Sequence, residues 1–350
     1  MSEKTDILSL YPEELTAFVR TLHERDFRAK QLFAWMQKGV SIDEMTNLPA
    51  SFREKLKEHA QYRLPKIVQK QVSKIDGTVK YLFSLCDGEC VESVFMRYEH
   101  GNTLCVSSQA GCRMGCKFCA STLNGKARDL YASEILGQII AAQRDTGERI
   151  GGVVMMGIGE PLDNYDNSVR FLRLVSHPDG LNIGLRHISL STCGLVDGIR
   201  RLAEENLPIT LSVSLHASDD ETRSALMPVN RKYPIDTLLC ACREYFERTG
   251  RRVSFEYTLI GGKNDSAAHA AALAKRLKSG MHATCHVNLI LLNEVAETGL
   301  STVNRKNAAS FRDALIALGI NATIRRRLGS DIDASCGQLR LRHETERRDR

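Results

Sequence analysis

The chain has 350 residues, 43% of them hydrophobic and 26% charged, with a formal net charge of +6 and a pI near 8.7. This length buries a large core and suits two or three domains, and 48 basic against 42 acidic residues tolerate a polyanionic partner without requiring one. No apolar run approaches the roughly 18–20 residues that span a bilayer, which excludes a helical membrane-spanning protein; the charged start MSEKTDILSLYPEEL has no secretory apolar core, so a cytoplasmic location is expected.

Residues 1–75 read as a small helical domain. Glu13–Arg25 and Phe27–Lys38 place apolar residues at helical spacing, and a third helix is expected over Ser51–Gln61, after Leu48-Pro49. Residues 76–102 read as a linking strand pair, Thr78–Leu85 and Cys90–Arg97, around the Asp87-Gly88 turn. From residue 103 to about 300 strands alternate with helices. The expected strands are Leu104–Ser107, Gly152–Met156, His187–Ser191, Ile209–Ser214, Val253–Leu259 and Cys285–Leu291. The helices between them are expected near Ser133–Thr146, Asn164–Val175, Leu195–Glu205, Ile235–Thr249 and Ser266–Lys278. Residues 301–350 form a C-terminal extension with a helix over Val303–Leu318 and a strand over Asn321–Arg326. Repeated βα units argue for a parallel sheet. The expected fold is α/β, a partial (β/α)6 TIM-like barrel with a helical N-terminal domain and a C-terminal extension. Polar or Gly-rich clusters recur at the strand ends, the face where parallel barrels place their sites.

Eleven cysteines are more than packing needs, and an odd number with irregular spacing does not describe a disulfide scaffold. Cys112-x-x-x-Cys116-x-x-Cys119 is the most informative feature. Three thiolates so close in sequence can ligate three irons of a [4Fe–4S] cubane, where four cysteines are usual. The fourth iron then stays open, as catalytic metals require, and the amino and carboxylate groups of S-adenosyl-L-methionine (SAM) can chelate it. The competing reading is zinc or a chance cluster. Structural zinc normally draws paired ligands from two separated places, and no second Cys/His pair of that kind occurs; Cys240-Ala-Cys242 lies in an apolar helical stretch and reads as core. One βα unit later, Gly157-Ile158-Gly159-Glu160-Pro161 offers backbone close approach and a carboxylate for a ligand ammonium. Alone it would be an ordinary Gly-rich turn.

Six stretches carry a resemblance. CVSSQAGCRMGCKFCAS (Cys105–Ser121), GIGEPLDNYDN (Gly157–Asn167), SVSLHA (Ser212–Ala217), LMPVNRKYP (Leu226–Pro234), CHVNLILLN (Cys285–Asn293) and DIDASCGQL (Asp331–Leu339) resemble the RlmN/Cfr family of radical SAM methyltransferases that act on adenine in RNA. The resemblance spans nearly the whole chain, with DIDASCGQL far more specific than the cysteine triplet. It implies Cys112, Cys116 and Cys119 as cluster ligands and Gly159, Glu160, Ser191, Ser214, Leu215, His216 and Asn293 as SAM-binding positions. It also implies Cys336 as the cysteine that becomes S-methylated, Cys105 as its partner in a transient disulfide, and Glu92 as a proton acceptor. Read singly, Cys105 would be a core thiol, Glu92 a strand-end charge and His216 a hydrogen-bonded histidine. Only Cys336, flanked by acids and followed by Gly337, looks loop-borne and reactive by itself. Cys86, Cys90, Cys193 and Cys285 read as core.

The implied chemistry follows from the substrate. Adenine C2 lies between two ring nitrogens and is too electron-poor to attack a SAM methyl group. The family therefore methylates a thiolate first, here Cys336, and removes hydrogen from that methyl group with a radical made from a second SAM. The carbon radical adds to the base, Cys105 or Glu92 removes the ring proton, and Cys105 releases the product by disulfide exchange. Expected substrates are an adenosine of the 23S rRNA peptidyl-transferase centre and the adenosine 3′ of the tRNA anticodon, each needing to leave its stack. The expected partners are these RNAs and a flavodoxin-like or other one-electron reductant, for a monomer. The C-terminal arginines, Arg325, Arg326, Arg327, Arg340, Arg342, Arg347, Arg348 and Arg350, fit either RNA phosphates or a solvated tail. GEPL at Gly159–Leu162 and FRAKQLFAWMQKG at Phe27–Gly39 favour the C2 branch over the C8, antibiotic-resistance branch; Ile158 and Ser335 depart from the family's usual Met and Ala. Rivals of other kinds are a non-enzymatic Fe–S or zinc RNA-binding protein and a sulfur-inserting radical SAM enzyme, which would need a second cluster.

Overall fold

A computed structural model describes residues 4–281, 285–293, 298–332 and 337–348. Among these residues, one ten-stranded sheet dominates, and its strands lie in chain order from one edge to the other. Lys66–Val72, Val79–Ser84, Cys90–Tyr98 and Gly101–Cys105 pair antiparallel in succession. Gly101–Cys105 then pairs parallel with Ile150–Met155, and Ile188–Thr192, Thr210–Ser214, Val253–Leu259, His286–Leu291 and Asn321–Ile324 continue the parallel run. The two edges, Lys66–Val72 and Asn321–Ile324, do not join, so the sheet is an open α/β sheet and not a closed barrel. Val253–Leu259 is buried along its whole length, as expected of a parallel strand covered on both faces.

The helices cover the outer face because their sequences dictate an apolar stripe. Ala132–Thr146 ends at Gly147 in the left-handed region, and Ile235–Thr249 ends the same way at Gly250. The N-terminal helices follow the same logic. Glu14 accepts the Tyr11 N–H at 2.8 Å, closing the start of Pro12–Thr21, while Phe27–Met36 buries Ala29, Leu32, Phe33 and Met36. That helical layer shares one continuous apolar core with the sheet. Polar ties reinforce the contact: Arg170 donates to Glu14 at 2.6 Å and the Ser133 hydroxyl to Asp6 at 2.6 Å. No helix among the described residues is long and apolar enough to cross a membrane.

The expected parallel strands and covering helices all form, with ends shifted by a few residues. The differences lie elsewhere. Lys66–Val72 is an exposed edge strand, not part of a helical segment. Neither of its faces is buried, so no alternation marks it, and Lys66 and Lys70 are edge charges that discourage further pairing. Two helices were not anticipated, Asp220–Leu226 and Gln338–Arg348. The first is short and capped by Asp219, whose carboxylate accepts the Thr222 N–H at 2.7 Å. Cys86 is exposed, contrary to the core reading, because it sits in the hairpin turn after Leu85; Cys90, Cys193 and Cys285 are buried as expected.

Candidate active site

The loop that carries Cys112, Cys116 and Cys119, expected to hold the cluster, is set by its glycines. Gly111 has φ +80°, and a Cβ there would stand 2.0 Å from the Gly125 carbonyl oxygen, so the loop closes only with glycine. Cys112 N–H donates to that same carbonyl at 2.9 Å, and Gln109–Gly111 pairs with Lys126–Asp129 to form the base of the loop. Asp163 clamps it from the next strand end: Arg113 and Lys126 ion-pair with Asp163, the latter at 3.0 Å, and Gln109 donates to it at 2.9 Å. Burial works against that carboxylate, but these three donors outweigh it and lower its pKa.

Cys112, Cys116 and Cys119 line one cavity of about 220 Å³, together with Phe118, Glu160 and His216. Met114, Cys116 and Phe118, each partly buried, pack on an apolar cluster of Cys193, Leu226, Met227, Ile260 and Leu292. Burial pushes the Cys112 thiol up to about 12 and raises Cys116 further, so thiolates here need a positive partner. No three His, Cys, Asp or Glu side chains among the described residues converge as a single metal ion requires. Three thiols lining one cavity match the number of protein ligands that a [4Fe–4S] cluster with one open iron takes.

The opposite wall comes from strand ends. Glu160 is 3% exposed and accepts the N–H groups of Cys193 at 2.7 Å and Leu162 at 3.0 Å. Burial raises its pKa, against the pull of those donors. Gly157 and Gly159 are explained first by protein neighbours: a Cβ at Gly157 would meet the Val106 oxygen at 2.6 Å, and one at Gly159 (φ +106°) the Gln109 Cβ at 2.6 Å. His216 has φ +55°, and its Nδ1 accepts the Thr258 N–H at 2.8 Å, which leaves the proton on Nε2. Burial, with the Arg223 charge adding, lowers its pKa to about 3, so the ring is neutral. Phe118 meets the ring edge-on at 4.8 Å. Arg223, 0% exposed, staples these strand ends by donating to Leu215 O (3.1 Å), Cys193 O (2.8 Å) and Ser214 O (3.0 Å).

A second cavity of about 170 Å³ adjoins the first, with Met156, Ile290 and Arg325 lining both. Cys105 and Asn293 face this second space, with Arg326 and Arg327 at its side. Cys105 pairs with Val94 across the sheet, so Glu92, two residues along from Val94, lies on the same face as Cys105. Glu92 is 2% exposed and accepts from Lys80 Nζ at 2.5 Å, Gly337 N–H at 2.6 Å and Arg340 N–H at 2.6 Å.

Of the residues expected at the site, Cys112, Cys116, Cys119, Gly159, Glu160, Ser191, Ser214 and His216 line the first cavity. Cys105 and Asn293 line the second. The Leu215 side chain lies in the core, 0% exposed, and only its backbone reaches the strand-end network. Cys336, and with it the disulfide expected with Cys105, lies outside the described residues. Arg340 is 7% exposed and bonds Glu89 at 3.1 Å, so it is not part of a solvated tail. Sequence reading missed Lys80, Arg223 and Asp163. Lys80 sits in a strand whose neighbours Val79, Tyr81, Leu82 and Phe83 are all apolar, and a lone lysine in such a run is the signal that could have exposed it.

The family model described as the radical SAM superfamily matches residues 106–298, and one described as the ribosomal RNA large subunit methyltransferase N-terminal domain matches residues 5–61. A probable dual-specificity RNA methyltransferase RlmN of Clostridium tetani is 49% identical over 98% of this chain and 98% of its own length. One from Pelotomaculum thermopropionicum is 55% identical over 90% of this chain and 85% of its own. Among solved structures, a radical SAM methyltransferase from Sphaerobacter thermophilus superposes with TM-score 0.90 at 42% identity, covering 95% of this chain and 98% of that one. With this fold and this array of thiols, the chain belongs to the radical SAM superfamily and, within it, to the RlmN family of RNA methyltransferases.

Proposed function

We propose that this enzyme methylates C2 of adenine in RNA, using Cys336 as methyl acceptor and Cys105 as resolving thiol, with 23S rRNA and tRNA as substrates. The observation that carries the reading is the shared wall: Met156, Ile290 and Arg325 line both the cavity that holds Cys112, Cys116 and Cys119 and the cavity that holds Cys105. The two sets of thiols would thus serve one reaction from either side of these three residues. Membership of the RlmN family supports the substrate class.

Cys112, Cys116 and Cys119 would hold a [4Fe–4S] cluster, with SAM against Gly159, Glu160, Ser191, Ser214, the Leu215 backbone and His216, and Asn293 reaching it from the adjoining space. When bound, the cluster and SAM supply the methyl group and the one-electron chemistry that removes hydrogen from it. The protein's own residues do the rest. Glu160 offers a buried carboxylate to an ammonium, and neutral His216 presents an Nε2–H donor. Phe118, Met114 and Leu292 exclude water from reactive species. Cys105, on the sheet face inside the second cavity, is the thiol that would attack the Cys336 sulfur and release the product as a disulfide forms. Arg325, Arg326 and Arg327 line that cavity and suit phosphates flanking an unstacked adenosine. A flavodoxin-like one-electron donor, a monomeric state and a cytoplasmic setting complete the reading.

The test is mass spectrometry of nucleosides from 23S rRNA and tRNA after anaerobic incubation with the reconstituted enzyme, SAM and reductant. The expected product is 2-methyladenosine. A dominant 8-methyladenosine peak assigns the chain to the other branch, and no methylated adenosine in either RNA rejects the reading.

A further inference from the structure

We infer that the buried Lys80–Glu92 pair is a latch that docks the Gly337–Arg340 turn, next in sequence to Cys336, against the Cys112–Cys119 loop, making both residues positioning residues. The inference rests on the reading of Cys336 as methyl acceptor and gives Glu92 a task other than proton acceptance. A lysine 0% exposed and a glutamate 2% exposed are costly to bury, and such charges persist where partners saturate them. Here part of the saturation comes from the C-terminal extension. Glu92 Oε2 takes Lys80 Nζ at 2.5 Å and Gly337 N–H at 2.6 Å, and Oε1 takes Arg340 N–H at 2.6 Å. These two N–H groups belong to the start of the helix Gln338–Arg348, where amides have no intrahelical acceptor. Glu92 therefore caps that helix from another part of the chain, at sequence separations of 245 and 248.

The opposite side of the same segment abuts the cluster loop. Gly337 has φ +83°, and a Cβ there would stand 2.7 Å from the Ser121 nitrogen and 3.1 Å from the Ala120 carbonyl carbon, just past Cys119. Arg340 reaches toward Gly111, the residue before Cys112, and bonds Glu89 at 3.1 Å. Leu339 buries against Leu82 and Cys90. The preceding flank is tied to the turn between Lys66–Val72 and Val79–Ser84. Asp331 accepts from Ser73 Oγ at 2.6 Å and Lys74 N–H at 2.8 Å, and Asp76 accepts the Gly329 N–H at 2.9 Å. Cys336 is thus the covalent neighbour of a residue wedged between Glu92 and the cluster loop. A methyl acceptor needs such placement, since a misplacement of about 1 Å can cost roughly 100-fold in rate.

The test uses the full-length, cluster-loaded enzyme and three readouts: amide exchange of residues 337–341, iodoacetamide labelling of Cys336, and S-methylation of Cys336 with SAM in the absence of RNA. Glu92→Gln puts an NH2 against donors, and Lys80→Met removes one. Each is expected to speed exchange and labelling roughly tenfold or more and to slow Cys336 methylation by up to roughly 100-fold, with iron content retained. Because a half-broken buried pair can unfold a protein, the double variant Lys80→Met/Glu92→Met fills the space without charge and is expected to show the same open segment. Gly337→Ala reaches that state from the other side. A Glu92→Gln enzyme that methylates Cys336 at the wild-type rate and keeps its amide protection overturns the latch and returns Glu92 to proton transfer alone; so does a double variant with undisturbed 337–341 amides. If the unaltered enzyme never methylates Cys336, the functional reading fails, while exchange still decides the latch.

Discussion

The cluster loop and the C-terminal segment border the same chemistry, but they are put together in opposite ways. Cys112, Cys116 and Cys119 come from one short stretch, closed by a local bond between Cys112 N–H and Gly125 O at 2.9 Å. The segment around Gly337 is placed by residues some 250 positions away, through Glu92, Ser73, Lys74 and Asp76. The difference teaches where each part is vulnerable. A local loop fails through its own ligands and glycines, whereas a segment anchored at long range fails when a remote strand loses a side chain. On the proposed function the difference fits their tasks: ligands of a resident cluster would stay still, while a cysteine meeting first a methyl donor and then a base would gain from tethers at its flanks.

The largest break is expected on the local side. Replacing Cys112, Cys116 or Cys119 with Ala should strip iron and reduce 5′-deoxyadenosine formation to background, measured by iron assay and chromatography. Full iron occupancy in the triple variant would remove these residues as ligands. Next comes the pair of thiols. Cys105→Ala should still carry a methyl group on Cys336 and accumulate a protein–RNA adduct that survives denaturation and disappears with ribonuclease. Cys336→Ala should give neither, and the reverse pattern would exchange their roles.

A smaller effect is expected from Gly111→Ala. The left-handed backbone alone costs roughly 1–2 kcal/mol for a residue with a Cβ, and the contact with the Gly125 oxygen adds to it. Iron occupancy should fall in part. Gly147→Ala, at φ +69° with open space around it, should bear only the backbone cost and keep full iron. Equal iron loss in both variants would mean that loop closure at Gly125 is unimportant.

The smallest effect probes the remote anchors. Burial opposes the Asp76 carboxylate, but the Gly329 N–H and the Thr78 and Ser73 groups outweigh it and lower its pKa to about 2. A folded-state pKa below the unfolded value of about 3.9 means stabilisation that is complete above that value and is lost as pH falls towards 2. Asp76→Asn should therefore lower the urea midpoint slightly at pH 7, and the gap from the unaltered protein should narrow at pH 3. A gap that is unchanged or wider at pH 3 would separate Asp76 from this anchor.

Much of the architecture and half of the site were legible in the amino-acid sequence by itself. The parallel strands announce themselves as apolar runs because both faces are buried, and the covering helices as 3.6-residue stripes because only one is. The cysteine triplet is legible for a related reason: its ligand spacing is short enough to be written in consecutive residues. What tertiary structure alone decided is what depends on pairing across the chain. The strand Lys66–Val72 has no buried face, so its pairing with Val79–Ser84 leaves no periodic trace. Glu92 read alone is a strand-end charge and Lys80 an oddity in an apolar strand. Their meaning appears only when antiparallel pairing brings them together and the Gly337–Arg340 turn lays the Gly337 and Arg340 N–H groups on the carboxylate. Likewise Gly157 and Gly159, which the sequence offers as ligand-cradling glycines, are needed first because Val106 and Gln109 leave no room for a Cβ. Close packing between distant segments decides such positions, and composition or spacing cannot carry that information.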